Sequence, residues 1–321
     1  MIELDHGIRL KGTSLWMDAT RVKDWSFVSH AHQDHVAAHR NIICSPHTAK
    51  LFRRQMPKAR IITYPFNTPF DHEQLRLELR PAGHILGSSQ ILIEKDQTRI
   101  VYTGDFKLKK NLTAEPAEPI PCDILIMECT FGRPAYVFPD REVVIQQIVR
   151  FIEDAAENRL VPVLYAYILG KSQEVAKILG DLGYRVCMPK QIYDMMKVYE
   201  ALGVPLKNFE LMQGDNFFGK VLILPPYMVH TKMVHRIRRK RTAFLSGWAL
   251  DPTVRHRFGV DEAIPMSDHA DFEELMAYVR AVKPSCVYTL HGFPDFAAHL
   301  RKQGFKAQHL EPKTQLTFWE D

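Results

Sequence analysis

The chain has 321 residues, 46% of them hydrophobic and 25% charged, enough for one large or two medium domains and unlike a disordered or fibrous chain. A formal net charge of +5 suits a polyanionic partner without demanding one. The absence of an apolar run of about 18 residues, and an N-terminal stretch Met1-Ile2-Glu3-Leu4 without basic or apolar leader regions, give the expectation of a cytoplasmic protein with no membrane span.

In chain order, Ile8–Leu10, Ser14–Asp18 and Trp25–Ser29 read as short strands of a meander. Ser45-Pro46 opens a capped helix running to Met56. Alternating strands follow at 75–80, 90–94, 99–102 and 124–128. Beyond Thr130-Phe131-Gly132 the pattern changes. An amphipathic helix is predicted over Arg141–Glu157 and a buried strand over Val161–Tyr167; helices at 172–182 and 191–202 alternate with strands at 184–187 and 221–224. Such alternation implies a parallel sheet. From Phe244 the order returns to strand, helix (Phe272–Val282), strand (Cys286–Leu290) and a last short helix. The expected architecture is an α/β (α+β) chain: a small α/β domain, 132–243, inserted into an αββα sandwich built from 1–131 and 244–321. The five cysteines (Cys44, Cys122, Cys129, Cys187, Cys286) form no CxxC pair, which argues against a zinc-thiolate knuckle or disulfide framework and for buried free thiols in a reducing compartment.

His30-Ala31-His32-Gln33-Asp34-His35 carries the chemistry. On a strand these side chains would splay to opposite faces, whereas in a loop at a strand end they can converge, and imidazole with carboxylate suits zinc or manganese. Metal-competent partners recur at later strand ends beside glycine: His84 in Ala82-Gly83-His84, Asp105 in Gly104-Asp105, and His291 in His291-Gly292. Glycine there lets the backbone approach a site closely.

In this order, HxHxDH, AGH, GD and HG resemble the metallo-β-lactamase superfamily. Glu128 in Met127-Glu128-Cys129, His269 in Ser267-Asp268-His269-Ala270-Asp271, and the insertion between them resemble its nucleic-acid-processing β-CASP branch. The runs Ala166–Gln173 and Leu245–Trp248 are most similar to the bacterial ligase-associated DNA exonucleases. The resemblance implies two divalent ions, zinc or manganese. His30, His32 and His84 would hold one, Asp34, His35 and His291 the other, and Asp105 would bridge them. Asp18 matches the family's first-motif aspartate, which supports the histidine loop from behind. Catalysis would rest on Asp34, on His269 as proton donor or phosphate clamp, and on Glu128 orienting His269 and raising its pKa. The implied activity is a DNA exonuclease of repair, working 5′→3′ on single-stranded ends, with association to a DNA ligase and helicase.

Other segments bear on substrate. Gly170-Lys171-Ser172 lacks the Walker glycine, since the required position is Tyr165, so nucleotide binding is rejected. Lys171 and Ser172 at a helix start could still hold a backbone phosphate. Tyr165 and Tyr167 could stack bases, though tyrosines in an apolar strand are more often core. The basic run Lys232–Arg241, with Arg236, Arg238 and Arg239, reads equally as solvated surface and as a strand-tracking face. Two alternatives stand. His291 fits RNA-processing members, where Artemis-like DNA enzymes tend to an apolar residue, and so keeps a ribonuclease reading open. A small-molecule hydrolase or a metal-free scaffold is disfavoured by Glu128, His269 and the intact ligand set.

Overall fold

The computed structural model describes residues 2–52, 56–214 and 216–311, and the chain divides into two compact units. The first comprises Met1–Lys110, Ala114–Pro134 and His269–Asp321, the second Asn111–Thr113 and Ala135–Asp268.

In the first unit one sheet runs in sequence order: β1 (Ile2–Leu4), β2 (Ile8–Leu10), β3 (Leu15–Met17), β4 (Trp25–Phe27), β5 (Asn41–Cys44) and β6 (Arg60–Thr63). Of the expected meander only β2 and β3 pair antiparallel, with β1 added antiparallel before them; β4 joins β3 in parallel, and from β3 onward neighbours are parallel. Helix α1 (Pro46–Phe52) follows β5; the expected continuation through 53–55 lies outside the described residues. The second sheet contains β7 (Phe70–His72), β8 (Leu75–Pro81), β9 (Ser89–Lys95), β10 (Thr98–Tyr102) and β11 (Ile124–Cys129). It is completed by two strands from the far end of the chain, described below with the helices that cover it.

The second unit has its own six-stranded, wholly parallel sheet: β12 (Val161–Tyr165), β13 (Val186–Met188), β14 (Phe209–Leu211), β15 (Val221–Leu224), β16 (Lys240–Leu245) and β17 (Glu262–Ile264), in the order β14-β13-β15-β12-β16-β17. Its helices are α2 (Arg141–Glu157), α3 (Lys171–Asp181), α4 (Lys190–Ala201), α5 (Lys232–Arg236) and α6 (Val254–Phe258). The return boundary expected at 244 is therefore corrected. β16 pairs with β12 and β17, so the chain leaves this unit only after Asp268. An apolar run such as Thr242–Leu245 fits a buried strand of either sheet, and periodicity alone cannot assign it.

Back in the first unit, α7 (Phe272–Val282), β18 (Cys286–Gly292), α8 (Asp295–Lys302) and β19 (Ala307–His309) close the fold. The second sheet then reads β19-β18-β11-β10-β9-β8-β7, with β10, β11, β18 and β19 parallel. Alternation along its strands feeds two cores. Ile91, Ile93, Ile100, Tyr102, Ile126 and Tyr288 pack with Ile8, Met17, Phe27 and Ile43 of the first sheet. Leu92, Val101, Leu125, Met127 and Val287 face the other way, onto Leu275, Met276 and Val279 of α7 and Phe296 and Leu300 of α8. Two facing sheets with helices outside constitute the αββα arrangement. The thiols are free as expected, but only Cys44, Cys129 and Cys187 are buried; Cys122 and Cys286 are half-buried.

Candidate metal centre

The site forms where β3, β4, β10, β11 and β18 end, because parallel strands bring their carboxyl ends to one edge. Backbone shape there is demanding. Gly104 adopts φ +55, and a Cβ on it would stand 2.6 Å from the Ser29 Cβ; Asp105 follows directly, so the glycine sets how closely the carboxylate meets the histidine loop.

Asp18, just beyond β3, is buried with a left-handed backbone, φ 46. Its carboxylate accepts hydrogen bonds from Ser29 N (2.7 Å), Ser29 Oγ (2.6 Å) and Tyr102 OH (2.7 Å), and lies 2.9 Å from His35 Nδ1. Ser29 Oγ in turn stands 2.9 Å from His30 Nδ1. Asp18 thus fixes both rings from behind, directly at His35 and through Ser29 at His30, with Nδ1–H outward and Nε2 toward the centre. Ser29 and Tyr102 carry no signal of this role in the sequence; a serine and a tyrosine at strand ends are common.

In front, His30 Nε2 and His84 Nε2 lie 3.0 and 3.1 Å from His32 Nδ1. Asp105 Oδ2 is 3.5 Å from His30 Nε2, 3.9 Å from His84 Nε2 and 3.3 Å from His35 Nε2. The ligand atoms of His30, His32, His84 and Asp105 all fall within 4.8 Å of one another. Burial, helped by the neighbouring charge of His35, holds the His30 imidazole well below its ordinary pKa, so it faces the centre neutral. Burial also opposes charge on His35, yet Asp105 and Asp18 outweigh it and hold that ring well above the usual histidine range. Burial likewise works against ionisation of Asp105, but His35, His269 and His30 hold its carboxyl well below the ordinary range. One imidazole N–H cannot serve two facing nitrogen lone pairs and a carboxylate equally, whereas a divalent cation can. The donor set fits zinc or manganese.

Glu128 is buried at the end of β11 and accepts from Phe106 N at 2.9 Å. His269 Nδ1 lies 3.0 and 3.1 Å from the two Glu128 oxygens, and 4.0 Å from Asp105 Oδ2. His291, exposed with φ 50, has its ring 5.5 Å from that of His35. Asp34 sits exposed on the short 3-10 turn Gln33–His35, outside the groups whose ligand atoms converge. The loop carrying His84 is tied down by Glu115, which accepts from Gly87 N at 2.9 Å and lies 2.7 Å from His47 Nδ1.

Two expectations in the second unit are corrected. Lys171 is buried, its Nζ 2.9 Å from Asp268 Oδ1, and the Ser172 hydroxyl donates to the Tyr167 carbonyl at 2.6 Å. Both point inward, so neither is presented to a phosphate. Tyr165 is core, 1% exposed, while Tyr167 lies past the strand end and is 46% exposed. Arg236, Arg238 and Arg239 are exposed, and Arg239 donates to the Asn158 carbonyl.

Comparison with known proteins agrees with this frame. Residues 258–312 match the family described as "Zn-dependent metallo-hydrolase RNA specificity domain". The chain is 41% identical over 322 residues to a "Probable DNA ligase" of Opitutus terrae, covering 98% of this chain and 31% of that protein. It is 25% identical over 296 residues to "5' exonuclease Apollo" of Danio rerio, covering 85% and 50%. The chain thus spans about a third to a half of these relatives' length. A crystal structure of a protein of unknown function from Enterococcus faecalis V583 shares the fold, with TM-score 0.58 and 17% identity over 90% of this chain and 79% of that one. Motif order, sheet arrangement and relatives together support the chain's resemblance to the β-CASP branch of the metallo-β-lactamase superfamily.

Proposed function

We propose that the chain is a metal-dependent nuclease that hydrolyses phosphodiester bonds in DNA, as an exonuclease running 5′→3′ from single-stranded ends during repair. The observation that carries this reading is the meeting of His30, His32 and His84 nitrogens beside Asp105, with the Glu128–His269 pair alongside. His30, His32 and His84 would hold one ion, Asp34, His35 and His291 a second, with Asp105 shared. The proximity of His35 to Asp105 and His291 supports the second set, while Asp34 enters on its motif position. Zinc or manganese there would supply a Lewis acid that activates water and offsets charge on the phosphoryl oxygens.

The chain's own groups do the rest. Glu128, held by the Phe106 amide, accepts from His269 Nδ1–H and favours the imidazolium. His269 Nε2 can then give its proton to the departing sugar oxygen. Asp18 keeps His30 and His35 in the tautomers that aim Nε2 inward. The exposed Arg236, Arg238 and Arg239 would neutralise strand phosphates without reading sequence. A DNA ligase and a helicase working on the same ends are the partners this reading implies, the first named by the Opitutus terrae relative.

The second reading is RNA cleavage, favoured by the RNA specificity description of residues 258–312 and by His291. Matched single-stranded DNA and RNA, labelled at either end, decide between them with zinc or manganese added and Asp34→Ala and Asp105→Asn as controls. Early release of the 5′ label from DNA, lost in the controls, supports the proposal. Preferential RNA cleavage moves the protein to the ribonuclease reading, and no cleavage of either strand refutes both.

A further inference from the structure

The four residues after Asp105 act as a junction. The Phe106 amide donates to Glu128 Oε1 at 2.9 Å, and its carbonyl accepts from Ala270 N at 2.6 Å, one residue past His269. The Lys107 amide donates to the Ala82 carbonyl at 2.8 Å, while its own carbonyl would lie 2.1 Å from a Cβ on Gly83, whose φ is +75. That turn delivers His84. The Phe106 and Lys107 peptides therefore touch the chain beside His84, Glu128 and His269. The far end of this segment is anchored as well, at the Leu108 and Lys109 amides.

That anchor is Glu274, on the first turn of α7 and 5% exposed. Its Oε1 accepts from Leu108 N at 2.8 Å and from Lys109 N at 2.5 Å, and its Oε2 accepts from Asp271 N at 3.1 Å. Asp271 closes the box: its Oδ1 accepts from Glu274 N at 2.9 Å, and its Oδ2 receives Lys109 Nζ at 2.7 Å. A helix cap alone needs the Asp271–Glu274 exchange. The two further bonds to Leu108 and Lys109 leave the helix altogether and pin the strand-end segment that carries Asp105. A buried carboxylate with three backbone donors is also rigid, since each lost bond would strand a polar group.

We propose that Glu274 is a positioning residue of the metal centre. By pinning Leu108 and Lys109 it sets where Asp105 and, through Phe106 and Ala270, the Glu128–His269 pair stand relative to the three histidines. Its hydrogen bonds go to Leu108, Lys109 and Asp271, none of them in the proposed ligand set. This inference rests on the reading of the site as a metal centre, but not on what the protein cuts.

The test compares Glu274→Ala and Glu274→Gln with Val279→Ala, a fully buried position on the same helix whose truncation destabilises the core shared with Phe106 without removing a hydrogen bond to 106–109. The readouts are zinc retention against a competing chelator, amide exchange at Leu108 and Lys109, and turnover of a small phosphodiester. Glu274→Ala is expected to weaken zinc retention at least tenfold, to speed exchange at both amides, and to lower kcat with KM little changed. Glu274→Gln, which keeps one neutral acceptor, should fall between it and the wild type, and supplies the comparison if the alanine variant does not fold. Val279→Ala should retain zinc and kcat despite a lower Tm. The proposal is overturned if the glutamate variants and Val279→Ala lose zinc affinity equally at equal Tm loss, or if zinc retention is unchanged while the amides are exposed. Failure of the nuclease reading would instead appear as turnover absent in the wild type with the zinc pattern intact.

Discussion

Asp18→Asn tests the wiring behind the histidines most cleanly. Asparagine keeps the shape and tolerates the left-handed backbone at φ 46, so the change is one of charge and of one oxygen for an NH2 group. Oδ2 meets the Ser29 hydroxyl, the Tyr102 hydroxyl and His35 Nδ1. Both hydroxyls can turn to accept from an amide, but His35 cannot keep its Nδ1 proton facing it. The loss therefore concentrates in one charge-assisted bond, about 2 kcal/mol, or a Tm lower by about 4–8 °C. Zinc retention should fall about 10- to 100-fold, as for other groups that orient a ligating histidine. The pH dependence follows from sign. His35 has a folded pKa raised well above its ordinary 6.5, so in metal-free protein its stabilisation is full below that value and is lost as pH rises through the folded pKa. In Asp18→Asn this loss should begin at the same pH but be complete at a lower one, and be smaller. Chelator competition and thermal melts of metal-free protein across pH 5–9 measure both effects. Unchanged zinc affinity with an unchanged melting profile would refute the idea that Asp18 orients the loop.

Glu128→Gln should lower turnover by about two orders of magnitude while zinc content stays at the wild-type level; loss of metal instead would make Glu128 a ligand. The double variant Arg236→Ala/Arg238→Ala should leave small-phosphodiester turnover alone and reduce the salt slope of single-strand binding by about 1.4, so an unchanged slope removes these arginines from the strand path. Lys171→Met removes the ammonium 2.9 Å from the buried Asp268 carboxylate and should destabilise by about 1.5–3 kcal/mol; weaker DNA binding at wild-type Tm would restore the phosphate role. In metal-free protein, Asp105 stabilises above its ordinary 3.8 and loses that contribution as pH falls through its depressed pKa, so Asp105→Asn should flatten the acid limb of the melting profile.

The residues that speak through residue type were legible in the sequence. Histidine and aspartate at strand ends are rare enough for His30, His32, His84 and Asp105 to announce a centre, and Arg141–Glu157 matches its helix because Val144, Ile148, Phe151 and Ile152 repeat at helical spacing. What stayed hidden depends on long-range pairing. β16 looked like a return to the first unit because an apolar strand carries no mark of its sheet. Lys171 looked like a phosphate ligand because its buried partner, Asp268, is distant in sequence. Ser29, Tyr102 and Glu274 are ordinary residues whose importance exists only in the hydrogen bonds they complete.

The parallel pairing of β11 with β18 joins Ile124 to Cys286, with the Ala135–Asp268 part of the second unit strung between them. Lengthening a closing loop roughly sixfold costs only about 1.5 kcal/mol in chain entropy, so at equilibrium the insertion is easily accommodated. In time it matters more, because pairings across such separations form slowly. Glu128 stands on β11, His291 on β18, and His269 on the stretch that returns to the first unit. Completing the centre therefore requires that this long-range pairing has formed. On the proposed reading, metal capture would then serve as a timestamp: a nascent chain that binds zinc through the full set has already closed the loop between Ile124 and Cys286.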